Sequence, residues 1–589
     1  MSDSQKKFTL THELRILIAS LLSVVVILAW VHYLAPKPPA GRPQTPPAQT
    51  APSLPSPSTT PSSNAAAPGH RAPAATISAP PKTNIPSKSE AQERTIVIEN
   101  DLYRVEFSNR GGVVKSWQLK KYLDDAKPPH VLDVVHQQAA EQTGGWPFAL
   151  VLDDEQAESV VNTGLYQISS PANEIHAPAD VDFTWSDGHI EVTKRFHFDH
   201  TYVVRAETLV KVNGTPITAG LAWLGGFGDL TVVNPAPIET VFVFYSENGK
   251  LTTTPAKKLE GLEKFPRGTW QVLKDWTGIQ DRYFAAAFLP PNGPASGSLE
   301  TRYWKVSRTV KVEDKDTEEP VPQIATAVSG QPQLALRVYV GPKDYDELKK
   351  MNPPLQSLVN FGWLEFIADP LFHGLKWVNK YIPNWGWDIV VLTLIINMLL
   401  FPLRISSYRT TLKMQRVAPE IKQIQEKYKK YSMRDPRKAE MNKEVMAVYA
   451  REKINPVGGC FQMFLQMPIW FGLNTTLRYA IELRHAPWIW VHDLSAKDPY
   501  YILPITMGAS MYFVSKMTPM TATDPQQQMM MKIMPITMAG MFVVFPISSG
   551  LALYILTSSL VGIIQQVYLN RTHPLPVQTK PVKAPKGKK

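Results

Sequence analysis

The chain has 589 residues, with 62 Lys and Arg against 51 Asp and Glu, a net charge of +11. That length exceeds one ordinary domain, and 19% charged residues with a mean hydropathy of −0.16 fit a large soluble part joined to a cluster of membrane spans. A single cysteine excludes intramolecular disulfides, Cys-rich zinc ribbons and Cys-ligated iron–sulfur clusters.

Residues 1–13 read as a cytoplasmic N-terminus. Lys6, Lys7 and Arg15 flank the twenty residues from Ile16 to Ala35, which include no Asp, Glu, Lys or Arg. Twenty helical residues rise about 30 Å, one hydrocarbon thickness, so 14–35 is expected to be a transmembrane anchor starting in the cytoplasm. A cleaved signal peptide would have a shorter apolar region and a small-residue site, which Trp30, His32 and Tyr33 do not precede. Residues 35–90 hold fifteen prolines in 56 positions and cannot bury a core, so 36–93 reads as a Pro-rich disordered linker.

From 94 to 345 the pattern is period-two alternation, as in Tyr103 to Phe107, Glu191 to Phe198 and Leu334 to Tyr339, broken by Gly, Asn, Asp and Pro. Short strands over that length predict a large β-sandwich, placed outside the cytoplasmic membrane by the anchor before it. Over 359–383 the apolar residues Phe361, Leu364, Ile367, Leu371, Leu375, Val378 and Ile382 take helical spacing. Asp369, His373, Lys376 and Lys380 make the segment too polar to span. An amphipathic helix in the outer interface is expected, the alternative being a packing helix of the β region.

Five further spans are predicted at 386–408, 455–477, 499–515, 529–546 and 549–570. The run from Ile533 to Asn570 is uncharged for 38 residues, about 57 Å of helix, and the turn signal from Pro546 to Gly550 divides it in two. Residues 404–453 hold fourteen basic against six acidic residues, and 571–589 six basic and none acidic. Both are therefore expected in the cytoplasm, and six spans that start and end inside agree with this. In the 409–453 segment Val417, Ile421, Ile424, Tyr428 and Tyr431 form a heptad stripe. Asp435 and Pro436 read as the start of a second helix bearing Met441, Val445 and Val448. This predicts a helical hairpin with basic outer faces, which is either a charged solvated face obeying the topology rule or a docking surface for a polyanion, anionic lipid or ribosomal RNA, whose reach the 571–589 tail would extend.

The sequence has no P-loop, no G-x-S-x-G, no H-E-x-x-H and no metal-ligand spacing among its thirteen histidines. No enzyme chemistry, cofactor or metal is expected, and any work on a substrate proceeds by lowering a barrier. Within the spans, Thr393 and Asn397 lie four apart and Arg404 seven beyond, near one helical face. Gln462 and Gln466 repeat the spacing of four on the next span, and Tyr554, Thr557, Ser558 and Ser559 lie on the last. Such groups face one another or water in lipid, either as interhelical hydrogen bonding or as a hydrated groove for polar segments of a passing chain. Ten of the nineteen methionines fall between Met507 and Met541, which suits either promiscuous apolar contact or gap-filling in a helical core.

Several motifs together resemble the YidC-type membrane protein insertases of Gram-negative bacteria, the family that includes mitochondrial Oxa-type and plastid Alb-type proteins. They are Tyr339 to Tyr345 (YVGPKDY), Asn384 to Gly386 (NWG), Asn455 to Cys460 (NPVGGC), Gln466 to Pro468 (QMP), His492 to Leu494 (HDL), Asp498 to Pro504 (DPYYILP) and Ile563 to Gln566 (IIQQ). The β region adds Asn109 to Gly112 (NRGG) and Tyr283 to Pro290 (YFAAAFLP), so the match runs from about 94 to 570. The resemblance implies an α-helical inner-membrane protein of six transmembrane helices, five of them forming the insertase core. To these it adds a large all-β periplasmic supersandwich similar to sugar mutarotases, and a C-terminus in the cytoplasm. It implies insertion, folding and assembly of integral membrane proteins, alone or with the Sec translocon, through a hydrophilic groove and without nucleotide hydrolysis. Implied partners are nascent membrane proteins, the Sec translocon, the ribosome, anionic lipids and, as a further candidate, the signal recognition particle receptor. The candidate groove residues, taken from the polar helical faces above, are Thr393, Asn397, Arg404, Gln462, Gln466 and Tyr554. The family groove Arg is replaced here by Asn397, the aromatic pair of the last span is Tyr554 with Ile555, and the turn before it is two residues longer. Two other classes fit less well. A sugar-epimerising enzyme would need a convergent acid–base pair, yet His189, Glu191, His197 and His200 share one strand-like segment. A solute transporter would place charges within its spans.

Overall fold

A computed structural model describes residues 85–573 with gaps, the longest at 232–241, 256–269, 292–298, 455–460 and 519–532. The expected anchor at 14–35, most of the linker, most of the 529–546 span and the tail beyond 573 lie outside the described residues.

The alternating segments form strands with one face buried. Ile190–Phe198 turns Ile190, Val192, Lys194, Phe196 and Phe198 inward and the residues between them outward. It belongs to a ten-stranded sheet whose middle runs Trp276–Gln280, Phe284–Leu289, Gln333–Pro342, Val203–Val212, Ile190–Phe198 and Ala179–Ser186, antiparallel throughout. One five-stranded sheet centres on Tyr103–Ser108 and another on Lys315–Ser329. Aromatic side chains join the layers. Phe107 lies 5.2 Å from Phe196, Phe148 stacks on Phe196 at 5.2 Å, and Trp117 meets Trp223 at 6.2 Å. The domain is β-rich, not all-β as expected, because helices Gln137–Thr143 and Glu155–Thr163 are inserted. The second is nucleated where the Asp154 carboxylate caps the Gln156 and Ala157 N–H groups.

The helical part comprises α1 (Glu365–Asn379), α2 (Trp385–Lys427), α3 (Arg437–Arg451), α4 (Phe461–Tyr479), α5 (Ile502–Met517) and α6 (Ser549–Thr572). In α1, Ala368, Phe372, Leu375 and Val378 are buried, while Phe366 is 71% and Trp377 54% exposed. The span expected at 386–408 and the first arm of the hairpin expected at 409–453 lie on one continuous helix. α2 is one helix of 43 residues, because the change from apolar to basic composition contains nothing that ends it, and Pro402 and Pro419 are carried inside. The Asn384 side chain caps its start by accepting from the Gly386 and Trp387 N–H groups. α3 begins at Arg437 and runs antiparallel to the end of α2, with Arg451 meeting Glu420 at 2.6 Å and Glu444 meeting Lys427 at 2.8 Å. Between them Val417, Ile421, Val448 and Ile454 form a small apolar core.

α6 packs against α5 and α2, and α1 against α4 and α2. Among the described residues, α2 and α6 are long and apolar enough to cross a membrane, so the expectation of six spans stands at two such helices here. α5 has 16 residues and the 529–546 segment is largely outside the described residues.

Candidate functional site

The helical part exposes large apolar side chains and buries several polar ones beside an apolar interior that includes Leu392, Ile396, Leu473, Leu551 and Leu553. Met398, Leu399 and Ile564 are each at least 70% exposed, whereas Thr393, Asn397, Gln565, Gln566 and Tyr554 are buried. Large apolar groups outside and amides and hydroxyls inside are the arrangement that lipid demands of polar side chains.

The inward polar groups form a seam between α2 and α6. The Thr393 hydroxyl donates to the Ile389 carbonyl of its own helix at 2.6 Å. The Asn397 Nδ2 donates to the Thr393 carbonyl at 2.9 Å and reaches the Ser558 hydroxyl at 3.4 Å, and that hydroxyl returns to the Asn397 Oδ1 at 3.5 Å. Gln565 spans two levels: its Nε2 donates to the Asn397 carbonyl at 3.2 Å and its Oε1 accepts from Arg404 Nη1 at 2.9 Å. Arg404 Nη2 donates to the Gly562 carbonyl at 3.3 Å. Lower on the same seam the Tyr408 hydroxyl donates to Asn570 Oδ1 at 2.7 Å. From α4, Gln466 Nε2 donates to the Tyr554 hydroxyl at 2.9 Å.

The structure thus places Asn397 and Arg404 of α2 against Ser558, Gly562 and Gln565 of α6, and separately pairs Gln466 of α4 with Tyr554 of α6, while the Thr393 hydroxyl bonds within its own helix. Gln462 lies in α4, and its side chain is outside the described residues. Sequence reasoning did not single out Tyr408, Gln565 or Asn570 as site residues. The signal for two of them was present: Ser558 and Gln565 are seven apart, and Arg404 and Tyr408 four, the repeats that placed Thr393, Asn397 and Arg404 on one face. Arg404 is not a free cation at the end of the helix, since two of its five N–H groups are held by α6.

The acid–base candidates of the β domain do not converge. His197 Nδ1 pairs with Asp180 at 2.7 Å on the outer sheet face, His189 with Asn213 at 2.6 Å, and Glu191 with Lys211 at 3.3 Å. One group of potential metal donors, Asp125, His485 and Asp493, lies within 4.8 Å and joins residues too distant in sequence for spacing to reveal. Asp125 Oδ1 is already engaged by His485 at 2.8 Å and Arg484 at 3.5 Å.

Two family models match the chain: the YidC periplasmic domain over residues 95–374 and the 60Kd inner membrane protein over residues 377–576. The membrane protein insertase YidC of Geobacter metallireducens is 33% identical over 568 residues, covering 95% of this chain and 98% of that protein. Its counterpart from a further Geobacter species is 34% identical over 492 residues, covering 82% and 86%. A solved structure described as an active YidC insertase with its first transmembrane domain resolved covers 84% of this chain and 95% of that chain, at 16% identity and a TM-score of 0.32, and adds no argument of its own.

Proposed function

Because the chain belongs to the YidC family of membrane protein insertases, we propose that it moves segments of newly made membrane proteins into the inner membrane along the polar face shared by α2, α4 and α6. The observation that carries this reading is the buried polar seam inside helices whose outward faces are apolar. A polar segment entering hydrocarbon loses its water, which costs several kcal/mol for each unsatisfied group. Amide and hydroxyl side chains that exchange partners with such a segment lower that barrier without nucleotide hydrolysis. The Asn397–Ser558 contacts at 3.4 and 3.5 Å are long for hydrogen bonds and are the ones most readily exchanged. Arg404, two turns nearer the basic hairpin, retains N–H groups with which to meet an acidic segment first.

In this reading the β domain is periplasmic, the chain crosses the membrane six times, and the hairpin and the 571–589 tail lie in the cytoplasm. There they contact ribosomal RNA and anionic lipid. The protein acts alone or beside the Sec translocon, assists folding and assembly of its clients, and receives some of them through the signal recognition particle receptor. It is not an enzyme.

Complementation of a strain depleted of its own insertase, together with crosslinking from position 397 to a stalled client, tests the groove. Asn397→Leu is expected to reduce insertion of clients with charged translocated tails several-fold more than of neutral ones, and Asn397→Arg to be tolerated. Wild-type insertion of every client by Asn397→Leu, with no crosslink from position 397, would reduce the seam to interhelical bonding.

A further inference from the structure

The connection between α4 and α5 holds a buried cation whose partners all belong to the β domain. Arg484 follows the short turn Ile481–Leu483, and its side chain is 3% exposed. Its Nη2 donates to an Asp229 carboxylate oxygen and, at 2.9 Å, to the Leu123 carbonyl. Asp125 lies 3.5 Å away. The rings of Tyr283 and Phe284 flank the guanidinium at 5.6 and 5.4 Å. The next residue, His485, pairs with Asp125 at 2.8 Å.

The receiving side is assembled by the β domain's own bonds. The Thr231 hydroxyl donates to Asp229 at 2.6 Å and accepts the Asp125 N–H at 2.6 Å, which fixes the two carboxylates relative to each other. The Asp229 N–H donates to Asp281 at 2.9 Å, and a side chain at Gly228 would occupy the space of that Asp281 carboxylate. Asp229 is 5% and Asp281 4% exposed. Without the guanidinium the buried Asp229 carboxylate would lose its ion-pair partner and Asp125 would be left to His485. Burial pushes the Asp125 carboxyl up, yet the His485 hydrogen bond and the Arg484 charge outweigh it and hold it below the usual carboxylate range.

We propose that Arg484 is a positioning residue that seats the β domain on the α4–α5 connection in one orientation, so that domain and membrane core move as one body. Buried ion pairs add little net affinity compared with apolar packing, but they penalise every arrangement that leaves one partner alone, so they select orientation. Lys376 of α1 supports the same turn, meeting Glu482 at 3.1 Å and Asp346 at 2.8 Å.

The test uses the full chain in lipid nanodiscs, with Cys460→Ala and spin labels at Lys250→Cys, on an exposed hairpin of the β domain, and Tyr500→Cys, exposed before α5. The parent is expected to give one narrow distance population. Arg484→Met, which keeps the bulk and removes the charge, should broaden it at least twofold, and Arg484→Lys should keep it narrow. Asp229→Asn removes the opposite charge, carries the same expectation as Arg484→Met, and serves if that variant does not accumulate. An unchanged narrow population in Arg484→Met or Asp229→Asn overturns the proposal and assigns docking to apolar packing. No client takes part in the measurement, so the result does not depend on the groove reading.

Discussion

Lys194 is the least expected side chain in the β domain. It lies on the inward face of Ile190–Phe198, fully buried, and its Nζ donates to the Gly111, Gly112 and Phe148 carbonyls at 2.7, 3.2 and 2.8 Å. Burial disfavours the charged ammonium and pushes its pKa down to about 7. The unfolded chain keeps this proton up to about pH 10.4. Between these values the unfolded state binds more protons, so this residue makes stability rise with pH across the window. Lys194→Met is expected to flatten that rise in thermal unfolding of the whole protein. At neutral pH it should also lower stability by about 1–3 kcal/mol, because three buried carbonyls lose their donor. The inward position was legible, since residue 194 is in phase with Ile190, Val192, Phe196 and Phe198. Arg484 was not. Asp229 is 255 residues away in sequence, and no local periodicity marks a partner at that distance.

Between elements, the seam joining α2 and α6 is a chain of bonds in which Gln565 connects the levels of Asn397 and Arg404. Arg404→Ala and Gln565→Ala are expected to be non-additive. A double-mutant cycle on unfolding in bicelles should return a coupling of about 0.6 kcal/mol, and at most about 1.7 kcal/mol, the scale of polar pairs between membrane helices. Full additivity would separate the two residues. Helix faces were legible from spacing because the period of 3.6 acts within one element: Val417 and Ile421 of the heptad stripe pack with Val448 of the second helix's apolar face. The join between the 386–408 span and the hairpin was not. Residues 404–409 change from apolar to basic in composition, and composition reports solvent, whereas helix continuity depends on backbone bonding that Arg and Ser do not interrupt.

In the molecule as a whole, one apolar core runs without a break from Phe107 and Trp117 of the β domain through Phe361 and Phe372 to Ile389 and Tyr554. In the proposed topology the β domain and the hairpin lie on opposite sides of the membrane. In a Cys460→Ala background, Lys250→Cys is expected to react with an impermeant reagent from outside in intact spheroplasts, and Lys443→Cys, exposed on α3, only after lysis. Labelling of Lys443→Cys from outside would reverse the orientation. The β domain was legible as a sheet-rich unit because alternation is local, but the order of its strands was not, since register depends on partners a hundred residues apart. The uninterrupted α2 has a mechanical consequence. Forty-three residues make a rod of about 64 Å, roughly twice the thickness of the hydrocarbon layer. Any load on the hairpin therefore acts through a long arm on the capped end at Asn384. Pro402 and Pro419 each remove one backbone hydrogen bond within that rod, and Pro402 is the one that lies on the seam, two residues before Arg404. Torque applied at the hairpin would bend α2 beside the guanidinium that ties it to α6, which is where a small flexure would part the two helices first.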